Sequence, residues 1–256
     1  MNTPSRSILN RAARRFMRAF NVFPCNKSLE GLAANLQEKY GYHHTKASQR
    51  PVDINRQPLP WFTYPAIEYL AQLDLSNKSI FEWGSGNSSL FFAKRCKQIT
   101  SVENNKEWFD YCSSQLLSNQ KIIFREESAF AEVIDELSTT FDLIIVDSLR
   151  RYECVHRCIK YLNDGGLVIL DNSDWHPNSS AFLRNHCDLL EVDMHGFGPI
   201  NSYSWTTSLY FHRNFRFSPR EERQPTISAA GIQQVSKYDC PDTAISLDFP
   251  NARIND

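Results

Sequence analysis

The sequence predicts an α/β domain, a mostly parallel seven-stranded sheet with helices on both faces, flanked by a helical N-terminal and an irregular C-terminal extension. Three observations carry this. Between residues 58 and 215, short apolar runs alternate with amphipathic stretches, as strand–helix repeats require. Residues 141–146, Phe-Asp-Leu-Ile-Ile-Val, are almost continuously apolar, which suits a strand covered on both faces. A Gly84-Ser85-Gly86 turn closes the first apolar run just ahead of a serine-led amphipathic stretch, a strand-to-helix junction.

The elements follow in order. Strands are predicted over 79–83, 98–102, 121–124, 141–146 and 167–170, with helices over 88–96, 106–117, 130–137 and 152–162 between them. Asp164-Gly165-Gly166 reads as the turn into the fifth strand. Residues 189–194 and 204–211 are the last two strands, joined by a loop at His195-Gly196-Phe197-Gly198-Pro199. Upstream, Thr63 and Pro65 mark a helix start, with Trp61 and Tyr64 beside it as cover for a ligand or as core aromatics. Residues 1–57 form the N-terminal extension, with helical patterning over 29–40. Residues 216–256 form the C-terminal one, punctuated by Pro219, Pro225, Pro241 and Pro250.

The bulk properties narrow the class. A chain of 256 residues, 41% of them apolar, has enough material for one such domain with extensions. Its formal net charge of −1, and the lack of a basic stripe interleaved with aromatics in the middle zone, argue against a nucleic-acid partner. Seven cysteines, scattered and without a C-x-x-C pair, argue against a disulfide framework and a zinc knuckle, and for a reducing, cytoplasmic setting. The first 20 residues hold Arg6, Arg11, Arg14, Arg15 and Arg18 without an acid, and Ile8, Leu9, Ala12, Phe16 and Phe20 at helical spacing. Such a helix packs on the domain, makes peripheral contact with an anionic membrane, or acts as a transit-like segment.

In a parallel sheet the ligand sits beyond the carboxyl ends of the strands, so strand-end residues are the informative ones. The first strand ends in Glu82-Trp83-Gly84-Ser85-Gly86-Asn87-Ser88-Ser89, whose glycines admit close approach of a ligand to the backbone. Glu103 ends the second strand, about 20 positions past the turn, where an acid accepts both hydroxyls of a ribose. After the third strand, Glu127 or Ser128 is placed to meet an adenine amino group. The fourth strand ends in Asp147, and the fifth in Asp171-Asn172-Ser173-Asp174-Trp175-His176, so two neighbouring strands bring acids to one rim. His176 and His195 are the imidazoles available for general-base work.

With these residues in place, positions 58–215 resemble a Rossmann-like domain of the class I S-adenosylmethionine-dependent methyltransferases. Residues 81–86, Val102-Glu103, 141–147 and 162–171 follow that family's order and spacing. The resemblance implies S-adenosylmethionine as cofactor, with Gly84, Ser85, Gly86 and Ser88 bordering its amino-acid end. It also implies Glu103 on its ribose, Glu82 facing its methionine portion and Asp147 at its rim. A finer resemblance, to the catechol and caffeoyl-CoA O-methyltransferases, implies a metal triad of Asp147, Asp171 and Asn172 holding Mg²⁺. The expected reaction is methyl transfer to a hydroxyl of a small molecule or sugar. The metal would activate that hydroxyl, or Asp147, Asp174 or His176 would take its proton. The alternatives are an NAD(P)-dependent oxidoreductase, which shares the glycine turn and ribose acid, and a non-catalytic cofactor-binding scaffold.

Overall fold

A computed structural model describes residues 26–222, 224–234 and 236. The arginine-rich segment expected to be helical at 6–20 lies outside them, as do Pro241 and Pro250. The elements run α1 (Asn26–Glu38), α2 (Tyr42–Ser48), α3 (Tyr64–Ala71), β1 (Ser79–Trp83), α4 (Asn87–Ala93), β2 (Gln98–Glu103), α5 (Lys106–Ser113) and β3 (Gln120–Phe124). Then follow α6 (Val133–Glu136), β4 (Phe141–Val146), α7 (Arg151–Cys158), β5 (Leu162–Asp171), α8 (Pro177–Asn185), β6 (Leu190–Gly196) and β7 (Trp205–Phe211).

The seven strands form one sheet in the order β3-β2-β1-β4-β5-β7-β6. The first five are parallel, and β7 runs antiparallel to both β5 and β6. This is a Rossmann-like doubly wound sheet. Alternation along the central strands divides the core in two. Ile80, Leu143, Ile145, Leu167 and Ile169 face one layer with Phe62, Leu70, Phe91 and Phe92. Phe81, Trp83, Ile144, Val146, Val168 and Leu170 face the other with Phe130, Ile134 and Val155. Neighbouring residues of one strand thus serve opposite cores, which is why β4 has no polar face.

Two elements differ from the sequence reading. The helix expected over 130–137 shrinks to α6, after a 3₁₀ turn at Glu127–Ala129. Phe130 N, Asp135 N and Leu137 N donate to carbonyls three residues back rather than four, and the Trp83 indole donates to the Phe130 carbonyl (3.3 Å). Strand β5 begins at Leu162, so Gly165-Gly166 lies inside it at a register shift opposite Phe141 and Leu143. Gly165 has φ +76°, and a Cβ on Gly166 would come within 2.8 Å of the Asp142 carbonyl oxygen. The pair therefore makes a bulge pressed against β4 rather than a turn.

The chain moves outward from β1 through β2 to β3, then returns to place β4 on the other side of β1. The crevice at the carboxyl ends of β1 and β4 is therefore the switch point. The segment before α3 closes over it. Asn87 Nδ2 donates to the Pro51 carbonyl (2.6 Å) and Lys94 Nζ to Gln57 Oε1 (2.8 Å). Residues after β7 turn back along α3, where Thr226 N donates to Gln72 Oε1 (2.7 Å) and Ala229 N to Glu68 Oε1 (3.0 Å). Among the described residues, no helix is long and apolar enough to cross a membrane.

Candidate active site

The first wall of the crevice is the glycine turn. Gly84 has φ +103°, and a Cβ there would sit 2.3 Å from the Asp147 carbonyl oxygen. Only glycine lets the ends of β1 and β4 close this far, with Asp147 N donating to the Trp83 carbonyl (3.1 Å). Beneath the turn lies Glu82, 1% exposed. Ser88 and Ser89 each donate a hydroxyl to its two oxygens, and Ser101 adds a third (2.8 Å). Burial pushes the Glu82 carboxyl up to about 7, against the pull of the three hydroxyls. Glu82 and Ser88 thus meet each other under the turn, so Glu82 braces the loop from below.

Glu103, at the end of β2, is fixed from two sides. Its Oε1 accepts from Asn104 N and Asn105 N (2.9 Å each), and its Oε2 from Ser85 Oγ (3.0 Å). Asn105 then caps α5 through Trp108 N (2.9 Å), and the Trp108 indole returns to the Ser85 carbonyl (2.7 Å). The candidate ribose acid, the glycine turn and α5 are one hydrogen-bonded unit. Glu127 and Ser128 lie on the exposed 3₁₀ turn after β3.

Above the glycine turn opens a cavity of about 290 Å³. It is lined by Ser85, Gly86, Asn87 and Ser88 of the turn and α4, by Trp108 and Asp147, and by Gln49, Arg50, Pro51 and Trp61 from upstream. Arg50 places its guanidinium 4.2 Å from the Tyr111 ring centroid. The sequence reading missed Arg50. It stands far upstream of the turn, and nothing in its local pattern separates it from a solvated arginine.

A second cavity, also about 290 Å³, adjoins the first and shares Trp61 and Asp147 with it. Its other walls are Asp171, Asn172, Trp175, Asn201, Tyr203 and Trp205. The exposed rings of Trp175 and Tyr203 are 6.4 Å apart between centroids and tilted by 33°. Rings this close touch each other, so they form a one-sided platform rather than a slot. Trp61 is exposed at the junction, whereas Tyr64 is buried against Tyr40 in the core.

Asp147, Asp171 and Asn172 meet in this second cavity; Asp174 and His176 do not line it. Asp174 Oδ1 accepts from Thr206 N (3.1 Å) and ties the β5 end to β7. His176 precedes α8, and burial followed by the nearby Arg151 lowers its pKa. His195 lies on the outer strand β6 against the Thr206 hydroxyl (2.5 Å). The loop after it is docked, not free. Tyr64 N donates to the Phe197 carbonyl (2.7 Å), and a Cβ on Gly198 would strike the Phe62 carbonyl oxygen at 2.3 Å.

The expected metal triad is corrected by its neighbours. Arg151 Nη2 donates to both Asp147 Oδ1 (2.7 Å) and Asn172 Oδ1 (2.9 Å), and Arg151 Nε to the Asp171 carbonyl (3.1 Å). Asp171 Oδ1 accepts from Thr207 Oγ1 (2.6 Å) and the Trp205 indole (3.1 Å). Asp147 Oδ1, Asn172 Oδ1 and Asp171 Oδ1 all accept from protein donors, and the donor between Asp147 and Asn172 is itself a cation, the Arg151 guanidinium. The donor set therefore does not fit a divalent ion. Among the described residues, no group of three or more His, Cys, Asp or Glu side chains is placed to hold a metal. Burial raises both carboxyls. Arg151 pulls Asp147 back, while Asp147 pushes Asp171 higher still, against Thr207 and Trp205.

No protein-family model and no curated protein sequence matches the chain. Solved structures of similar shape include a "putative caffeoyl-CoA O-methyltransferase" from Staphylococcus aureus, at 14% identity and a TM-score of 0.49, over 66% of this chain and 89% of that one. An rRNA methylase from Streptococcus thermophilus matches at 14% and 0.45, over 58% of this chain and 97% of its own. TYW2 from M. jannaschii, in complex with AdoMet, matches at 13% and 0.43, over 62% and 79%. These TM-scores all lie below 0.5, and the fold stands on the strand order and register of the chain itself.

Proposed function

We propose that the chain binds S-adenosylmethionine in the cavity above the glycine turn and transfers its methyl group to a hydroxyl of a small molecule or sugar in the adjoining cavity. The observation that carries this reading is the meeting of the two cavities at Asp147 and Trp61. One cavity has the glycine turn that a nucleoside cofactor needs, with Glu103 hydrogen-bonded to its Ser85, and the other has polar groups beside an aromatic platform. Glu103 holds the ribose, Gly84 to Gly86 border the amino-acid portion, and Arg50 receives its carboxylate. The acidic rim at Asp147 suits the positive sulfonium. A sugar ring laid on Trp175 and Tyr203 buries its apolar face and turns its hydroxyls toward Asp147, Asn172 and Asn201.

In the transfer itself, the acceptor oxygen attacks the methyl carbon in line with the breaking carbon–sulfur bond. The bond's electrons pass to sulfur, leaving neutral S-adenosylhomocysteine. Asp147 takes the acceptor's proton; its raised pKa makes it a better base than a solvated carboxylate.

Calorimetric titration with S-adenosylmethionine tests the reading. One saturable site per chain is expected, and no binding at millimolar cofactor by folded protein would overturn it. Arg50→Ala is expected to weaken S-adenosylmethionine about tenfold, the worth of one charge-assisted contact. The same change should leave 5′-methylthioadenosine, which lacks the carboxylate, unaffected. Equal losses for both ligands would remove Arg50 from the site.

A further inference from the structure

We infer that the Arg151 guanidinium is a built-in substitute for a divalent cation, holding Asp147 and Asn172 in place so that methyl transfer at this site runs without a metal. The inference rests on the function proposed above and assigns Arg151 as a positioning residue within it.

Arg151 is only 13% exposed and makes four hydrogen bonds to the ends of two strands. Nη2 bridges Asp147 Oδ1 and Asn172 Oδ1, Nη1 donates to the Ser148 carbonyl, and Nε donates to the Asp171 carbonyl. The partners are carboxylate, amide and carbonyl oxygens from the end of β5 and the turns after β4 and β5, the donor types of a Mg²⁺ or Ca²⁺ site. What they surround is a planar cation anchored on α7.

Its position runs against local electrostatics. Arg151 opens α7, where the positive end of the helix dipole disfavours a cation. Arg150, beside it, turns away to Glu153 (2.7 Å). Arg151 instead turns inward, where the oxygens of β4 and β5 offset both the dipole and its desolvation.

Charge arithmetic agrees. With both acids ionised, Asp147, Asp171 and Arg151 sum to one negative charge, which a sulfonium cancels. A divalent ion added to those three groups and the sulfonium would leave two uncompensated positive charges in a partly buried site. Asp147 Oδ1 is held by Arg151, and Oδ2 accepts no hydrogen bond among the described residues, so one oxygen stays available for the acceptor proton.

The experiment is a Mn²⁺ titration followed by electron paramagnetic resonance, on the full chain and on Arg151→Ala and Arg151→Lys. Wild type is expected to bind no Mn²⁺ at about 1 mM, the weak end of oxygen-ligand sites. Arg151→Ala should gain one Mn²⁺ per chain, lost again when Asp171→Asn is added. Arg151→Lys keeps a positive charge and should bind none. Stoichiometric Mn²⁺ binding by wild type that Asp171→Asn abolishes would overturn the inference. So would a folded Arg151→Ala that binds no Mn²⁺, or Arg151→Lys binding it as tightly as Arg151→Ala. Should Arg151→Ala fail to fold by circular dichroism, stoichiometric Mn²⁺ binding by wild type or by Arg151→Lys still overturns the inference. Calorimetry with S-adenosylmethionine on the same samples reports separately on the proposed function. A failure there leaves the Mn²⁺ result standing.

Discussion

Glu103→Ala is expected to weaken S-adenosylmethionine binding about a hundredfold, because two hydrogen bonds from a ribose diol to a carboxylate are lost together. The carboxylate is held ready for that contact. Asn104 N and Asn105 N hold Oε1, and Ser85 Oγ orients Oε2 next to the glycine turn. Little freedom remains for a ligand to restrict, so most of the contact energy appears as affinity. Glu103→Gln keeps one acceptor and should lie between wild type and Ala. Titration calorimetry on all three proteins, with circular dichroism to check folding, makes the comparison. An Ala variant within threefold of wild type would remove the ribose assignment.

Glu82 is expected to make the chain less stable as pH rises. Its carboxyl is raised in the folded chain to about 7, from an ordinary value of 4.5, chiefly by burial. Between those values the folded chain keeps a proton that the unfolded chain has released, so folding is favoured at the acid end. The contribution is complete below pH 4.5, falls away as pH climbs to 7, and is absent above it. A carboxyl raised this far contributes about 3 kcal/mol, since each pH unit between its folded and unfolded values is worth about 1.4 kcal/mol. Glu82→Gln carries a permanently neutral group of the same shape and should lack this slope. Urea unfolding at about pH 5 and about pH 8 measures the difference, and wild type should lose about 2.5 kcal/mol more than Glu82→Gln over that interval. Parallel losses would show that Glu82 is ionised in the folded chain across the whole range.

The sheet was legible in the sequence because each strand's pattern is local. The unbroken apolar run of β4, the glycine turn after β1 and the spacing to Glu103 depend on residues that are neighbours in the chain. The same holds for the gathering of strand-end acids at one rim. A parallel sheet aligns its carboxyl ends, so Asp147 and Asp171 had to come together once β4 and β5 paired.

Side-chain partnership was not legible, because it is set across the fold. From sequence, Asp147, Asp171 and Asn172 are three oxygen donors without a cation, and a metal completes them. Only the packing of α7 against β4 and β5 brings the Arg151 guanidinium between Asp147 and Asn172, and only the pairing of β5 with β7 gives Asp171 to Trp205 and Thr207. Arg50 reaches the cavity because the segment before α3 folds back over α4. Gly165-Gly166 became a bulge because β4 lies against it, and α6 shortened where its neighbours bond three residues back instead of four. The sequence by itself therefore determined the fold class and the rim that gathers the strand-end acids, both consequences of periodicity along the chain. The tertiary structure alone decided which charge faces which, since a hydrogen bond or ion pair depends on ångström distances between residues that the chain order leaves free.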